Sequence, residues 1–88
     1  PVNPHVARRL APFLSGRESN IRRFTDIVCL DPVLCFRALK VANSSLYRRS
    51  CEIATVPHAI VSVGMEVVLE TVARAVDEGS RLEPFSGD

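Results

Sequence analysis

The pair Asp31-Pro32 constrains this chain more than any other two residues in it. Aspartate is a good N-cap, and proline is tolerated at the first helical position, where its missing N–H had no intrahelical acceptor anyway. A helix therefore begins here, and an earlier one cannot run into it, because the residue before proline is pushed out of the helical region. From Asp31 to Tyr47, the residues Leu34, Ala38, Val41, Ala42 and Ser45 recur at the spacing of one helical face. Cys35, Leu39 and Leu46 widen that face into an apolar wall. The pattern predicts one buried central helix with other elements leaning on it. Phe36, Lys40, Asn43 and Tyr47 form a second stripe of mixed character, suited to solvent, another helix or a partner. Asn43, Ser44 and Ser45 have short polar side chains that compete for backbone groups and favour termination.

The remaining segments read as shorter helices. Asn3 and Pro4 open one that carries Val6, Leu10, Phe13 and Leu14 on a single face. Pro12 interrupts it, at a cost of roughly 3 kcal/mol for an interior proline, so a kink or an early end is expected. Gly16 is placed to cap in the left-handed region. Asn20 caps a second helix, Ile21 to about Cys29, whose apolar face is Ile21, Phe24, Ile27 and Val28. After Tyr47 no period is visible until Thr55, and Ile53 is expected to point inward from a loop. Thr55 caps a two-turn helix with Val56, Ala59, Ile60 and Val63 on one side, and Gly64 ends it. Met65 to Val76 forms the last helix, with Met65, Val68, Leu69, Val72, Ala73 and Val76 facing inward. Its Glu70 and Arg74 make a favourably oriented i, i+4 pair. Residues 80–88 read as a polar tail, frayed unless Phe85 docks.

Asp31-Pro32, the run Ala42-Asn43-Ser44-Ser45-Leu46-Tyr47 and the later Ala59-Ile60-Val61-Ser62-Val63-Gly64 together resemble the HDOD (HD-related output domain) family, over roughly Pro4 to Val76. The resemblance implies an all-α fold: a compact bundle of about five short helices around one central helix, like the N-terminal part of an HDOD domain, which is longer than this chain. Residues 1–79 would be that partial domain and 80–88 the tail. It also implies a non-catalytic relative of the HD phosphohydrolases, working in bacterial signalling proteins beside receiver domains and domains that make or degrade cyclic dinucleotides.

Composition sets the outer bounds. With 88 residues, 47% of them apolar and 24% charged, the chain can build one modest core. Its apolar runs are broken by charges before the ~18 residues that a membrane-spanning helix needs, and no signal peptide pattern opens it. The expected location is the cytoplasm. Cys29, Cys35 and Cys51 lack CxxC spacing and read as buried free thiols. The net charge of +1 hides a polarity: residues 1–51 hold nine Lys/Arg against three Asp/Glu, and residues 52–88 hold two against seven. Either the two halves attract each other when packed, or the basic half meets an acidic partner.

No catalytic constellation is visible. A phosphohydrolase of the HD type binds metal through spaced histidines and an adjacent His-Asp pair, whereas this chain has only His5 and His58 and no His-Asp dipeptide. Gly-rich phosphate loops and nucleophile motifs are missing too, and capping accounts for Asp31 without pairing it to Asp26. The expectation is a protein that is not an enzyme and needs no cofactor or metal. Its motif residues are Asp31, Pro32, Asn43, Ser44, Tyr47 and Gly64, with Arg37, Lys40, Arg48 and Arg49 as a candidate basic contact surface.

The resemblance implies a regulatory module that binds a protein partner. The alternative is a helical nucleic-acid-binding module, using those basic residues with Arg8, Arg9, Arg22 and Arg23. Scattering over several helices, a pI of about 8.3 and the lack of interleaved aromatics make nucleic acid the weaker partner. If further helices of the longer domain normally cover the apolar wall, this chain is expected to close it by forming a homodimer, with exchange of helices as one route.

Overall fold

The computed structural model describes residues 2–44 and 52–82, with 79–82 described as backbone only. Five helices lie in this part of the chain: α1 (Pro4–Leu14), α2 (Ile21–Val28), α3 (Pro32–Ala42), α4 (Val56–Val63) and α5 (Met65–Leu82). Each of the first four starts where a short polar side chain can take up an orphan backbone N–H. Asn3 Oδ1 accepts from His5 N at 2.8 Å, Asn20 Oδ1 from Arg23 N at 3.0 Å, Asp31 Oδ1 from Val33 N at 2.9 Å, and Thr55 Oγ1 from His58 N at 3.3 Å. Pro4, Pro32 and Pro57 occupy the first positions of α1, α3 and α4, where the missing donor costs nothing.

The third helix is the centre. It packs on both α4 and α5, which also pack on each other, while α1 lies across α2 and α5, and α2 touches α3. Leu34, Ala38 and Ala42 have no solvent exposure, and Val41, Cys35 and Leu39 are half-buried beside them. The core is completed by Leu10 and Phe13 of α1, Phe24 and Val28 of α2, Val56, Ala59 and Ile60 of α4, and Val68 and Val72 of α5. Phe13 and Phe24 meet with ring centroids 5.5 Å apart at a tilt of 55°, an arrangement that suits two aromatic quadrupoles.

Several expectations need correction. The central helix stops at Ala42, with Asn43 as its C-cap, so it does not extend as one rod to Tyr47; residues 45–51 lie outside the described residues. Ile21 is 48% exposed, because α2 turns only Phe24, Ile27 and Val28 toward its neighbours. On α5 the buried line is Val68, Val72 and Ala75, at i, i+4 and i+7, and Ala73 is only half-buried. That helix also continues past Val76 to Leu82, through Gly79 and Ser80. Helix α1 runs two residues beyond Pro12 before ending, and the Pro12 carbonyl accepts from Arg17 N, Glu18 N and the Ser15 hydroxyl. Cys29 is exposed and Cys35 half-buried, so neither is the buried thiol expected; Cys51 lies outside the described residues.

Candidate functional site

The capping residues of α3 do more than start and stop a helix. Asp31 is the one charged side chain that is buried among the described residues, 3% exposed, and it uses both oxygens. While Oδ1 caps α3, Oδ2 accepts from Asn3 N at 2.8 Å and so ties the entry of α1 to the entry of α3. Two charge-assisted bonds from backbone donors offset the desolvation of the carboxylate. At the other end, Asn43 Nδ2 donates to Leu39 O at 3.0 Å and to Ile53 O at 2.8 Å, and its Oδ1 accepts from Ile53 N at 2.8 Å. A single amide thereby imitates a strand partner for Ile53, holds the chain that returns toward α4 against the end of α3, and delivers the Ile53 side chain to the core. Gly64 connects α4 to α5 at φ 95° and ψ 153°, a region open in practice to glycine alone.

Two open grooves flank the C-terminal half of α3, and Lys40 lines both. One, about 400 Å³, lies toward α5 and is lined by Arg37, Lys40, Val41, Ser44, Thr71 and Arg74. The other, about 440 Å³, is lined among others by Phe36, Leu39, Asn43, Glu52 and Ile53. In the first, Arg37 Nη1 pairs with Glu78 Oε1 at 3.0 Å, linking the basic half of the sequence to the acidic half. The Glu78 hydrogen bond, opposed by slight burial, raises the Arg37 pKa and holds the guanidinium in its charged form. Arg74 Nη2 meets Glu70 Oε2 at 3.3 Å as the expected i, i+4 pair; both side chains are exposed, so it adds little stability. Lys40 Nζ lies 5.8 Å from the Phe36 ring centroid. Phe36 itself is 61% exposed; Val33, three residues before it on α3, is exposed too, as is Leu30 in the turn between α2 and α3.

Of the residues singled out from sequence, α3 and its caps bring together Asp31, Pro32, Arg37, Lys40, Asn43 and Ser44. Gly64 stands apart at the α4–α5 junction, and Tyr47, Arg48 and Arg49 lie outside the described residues. Sequence reasoning missed Thr71 and Arg74 as groove residues. Their spacing on α5 was legible, but not the packing of α5 on α3 that places them opposite Arg37 and Lys40. The contact of Asn3 with Asp31 also had no local signal, since 28 residues separate them. His5 and His58 stand exposed in the first turns of α1 and α4, and no group of three metal-capable side chains occurs among the described residues. No helix of the described residues is long and apolar enough to cross a membrane.

No curated protein and no solved structure gives a significant match. A family model described as HDOD domain matches residues 1–80, a span that takes in α1 to α4 and all but the last two residues of α5; the chain belongs to the HDOD domain family.

Proposed function

We propose that this chain is a non-catalytic regulatory module of a bacterial, cytoplasmic signalling protein, and that it acts by binding a protein partner through the exposed side of α3. Family membership supports a signalling setting. The observation that carries the reading is the division of α3 into two faces. Leu34, Ala38 and Ala42 are sealed in the core, while Val33, Phe36 and Lys40 on the opposite side stand in solvent beside a groove of about 440 Å³. An exposed aromatic next to a concave surface is the kind of anchor that protein interfaces use. The cation over its ring adds an electrostatic preference for an acidic partner.

The same exposed face supports self-association, with a second copy of the chain as one occupant. A place in cyclic-dinucleotide signalling follows from the domains that accompany the family and from nothing in the grooves themselves. Nucleic acid fits less well: in the groove toward α5, Arg37 and Arg74 already face the carboxylates of Glu78 and Glu70, which lowers the charge offered to phosphates.

The test compares the wild-type chain with F36D, a surface change on the exposed side of α3. Equal melting temperatures with loss of a directly measured partner affinity, or of a dimer seen by light scattering, support the reading. An unchanged affinity and an unchanged oligomeric state in F36D refute it. Turnover of phosphomonoesters or cyclic dinucleotides by the metal-supplemented protein would overturn the non-catalytic part.

A further inference from the structure

The groove between α3 and α5 gathers positive charge that the partner face leaves unused, since Phe36 does not line it. Arg37, Lys40 and Val41 of α3, with Ser44 just past its end, follow the i, i+3, i+4, i+7 spacing of one helical face, and Thr71 and Arg74 sit at i, i+3 on α5. Packing α3 on α5 therefore sets three cationic side chains around one concavity of about 400 Å³, a size that small-molecule sites share. None of the described residues that line it is a carboxylate. Glu78 and Glu70 occupy the arginines only in part: Arg37 Nη1 meets Glu78 Oε1 at 3.0 Å and Arg74 Nη2 meets Glu70 Oε2 at 3.3 Å, while each guanidinium carries further N–H donors on its other nitrogens. Lys40 has no salt bridge among the described residues. The Thr71 hydroxyl donates to Val67 O at 2.9 Å and so offers the groove an oxygen, which leaves Ser44 as the hydroxyl able to donate.

We propose that this groove is a binding site for a small molecule that carries one phosphomonoester group. The two guanidiniums approach from separate helices and hold phosphate oxygens through planar sets of donors, while Lys40 adds a compact point charge on a flexible stem. Three like charges around one concavity repel one another, and a dianion seated between them removes that repulsion. Val41 supplies an apolar wall for the organic part of the ligand. A single phosphate suits the groove better than a nucleic-acid backbone does. A polyanion needs a run of unpaired cations, whereas here the cations end within one pocket and two of them share their charge with Glu70 and Glu78. The site does not depend on whether the Phe36 side of α3 binds a partner.

The experiment is isothermal titration calorimetry of the chain in low-salt, phosphate-free buffer with three probes: inorganic phosphate, adenosine monophosphate and adenosine. Saturable binding of the monophosphate, weaker binding of inorganic phosphate and none of adenosine is the expected result. R74Q and K40Q each remove one cation from the groove and should weaken binding about tenfold or more. E70Q releases Arg74 from its carboxylate and should tighten binding several-fold, a gain that damage to the fold would not produce. All three substitutions change exposed side chains, so their melting temperatures should match the wild type. The proposal is overturned if neither inorganic phosphate nor the monophosphate binds saturably, if adenosine binds as tightly as its monophosphate, or if R74Q, K40Q and E70Q all leave the affinity unchanged.

Discussion

Replacing Asn43 with alanine removes three hydrogen bonds at once, and the structure says which groups lose them. Ile53 loses both a donor to its carbonyl and an acceptor for its N–H, and Leu39 loses a second donor to its carbonyl. A net hydrogen bond contributes about 0.5–1.5 kcal/mol, and Leu39 O sits at a helix end where water can replace the lost donor, so only the two bonds to Ile53 count fully. N43A should therefore cost about 1–3 kcal/mol, which for a domain of this size lowers Tm by roughly 4–8 °C per kcal/mol. Asn43→Asp tests the directionality: it keeps the acceptor for Ile53 N but turns oxygen toward two carbonyls, and it should be no better than alanine. Urea titration gives the stability change, and hydrogen exchange at the Ile53 amide shows whether the loss is local. A change below about 0.5 kcal/mol, the range of an ordinary surface substitution, with unaltered Ile53 exchange would refute the clamp. If partner binding falls only as far as folding does, the role of Asn43 is structural alone.

Gly64→Ala should cost about 1–3 kcal/mol in chemical denaturation, purely from the backbone, since an added Cβ would meet nothing within 4 Å. Asp31→Ala strips the α3 cap and the link to Asn3, and should lower stability by about 3–6 kcal/mol, given roughly 1.5–3 kcal/mol for each of the two bonds to a charged group. The hydroxyl of Thr25 is buried without a hydrogen-bond partner, so Thr25→Val should leave stability unchanged or raise it by about 1 kcal/mol; a loss would contradict that assignment. Burial first, then Cys35 on α3 and Asp26 on α2, raise the Cys29 pKa above its ordinary 9.0. Because the thiolate is the reactive form, the alkylation rate of Cys29 should keep climbing with pH throughout the range from pH 7 to 9. A plateau in that range would refute the raised value.

The five helices and their starts were legible because each depends on neighbours in sequence. Asn3-Pro4, Asn20, Asp31-Pro32 and Thr55 lie within three residues of the amides they cap, and the apolar periods of α1, α3 and α4 name most of their buried residues. Errors arose where that local logic runs out. Helix α5 passes through Gly79 and Ser80, residues of poor helix propensity, and Glu78 within it pairs with Arg37 of α3. No residue near Glu78 in sequence signals that partner, which lies 41 residues away.

Sequence by itself determined the helical class, the corner at Asp31-Pro32 and the glycine at the α4–α5 junction, since capping, proline geometry and positive φ are properties of adjacent residues. Only the tertiary structure decided that Asp31 also holds Asn3, that Asn43 clasps Ile53, that α5 supplies one wall of the groove beside Arg37 and Lys40, and that Phe36 stays in solvent. Those contacts join residues far apart in the chain, and nothing in local periodicity specifies which helix faces meet when the core closes.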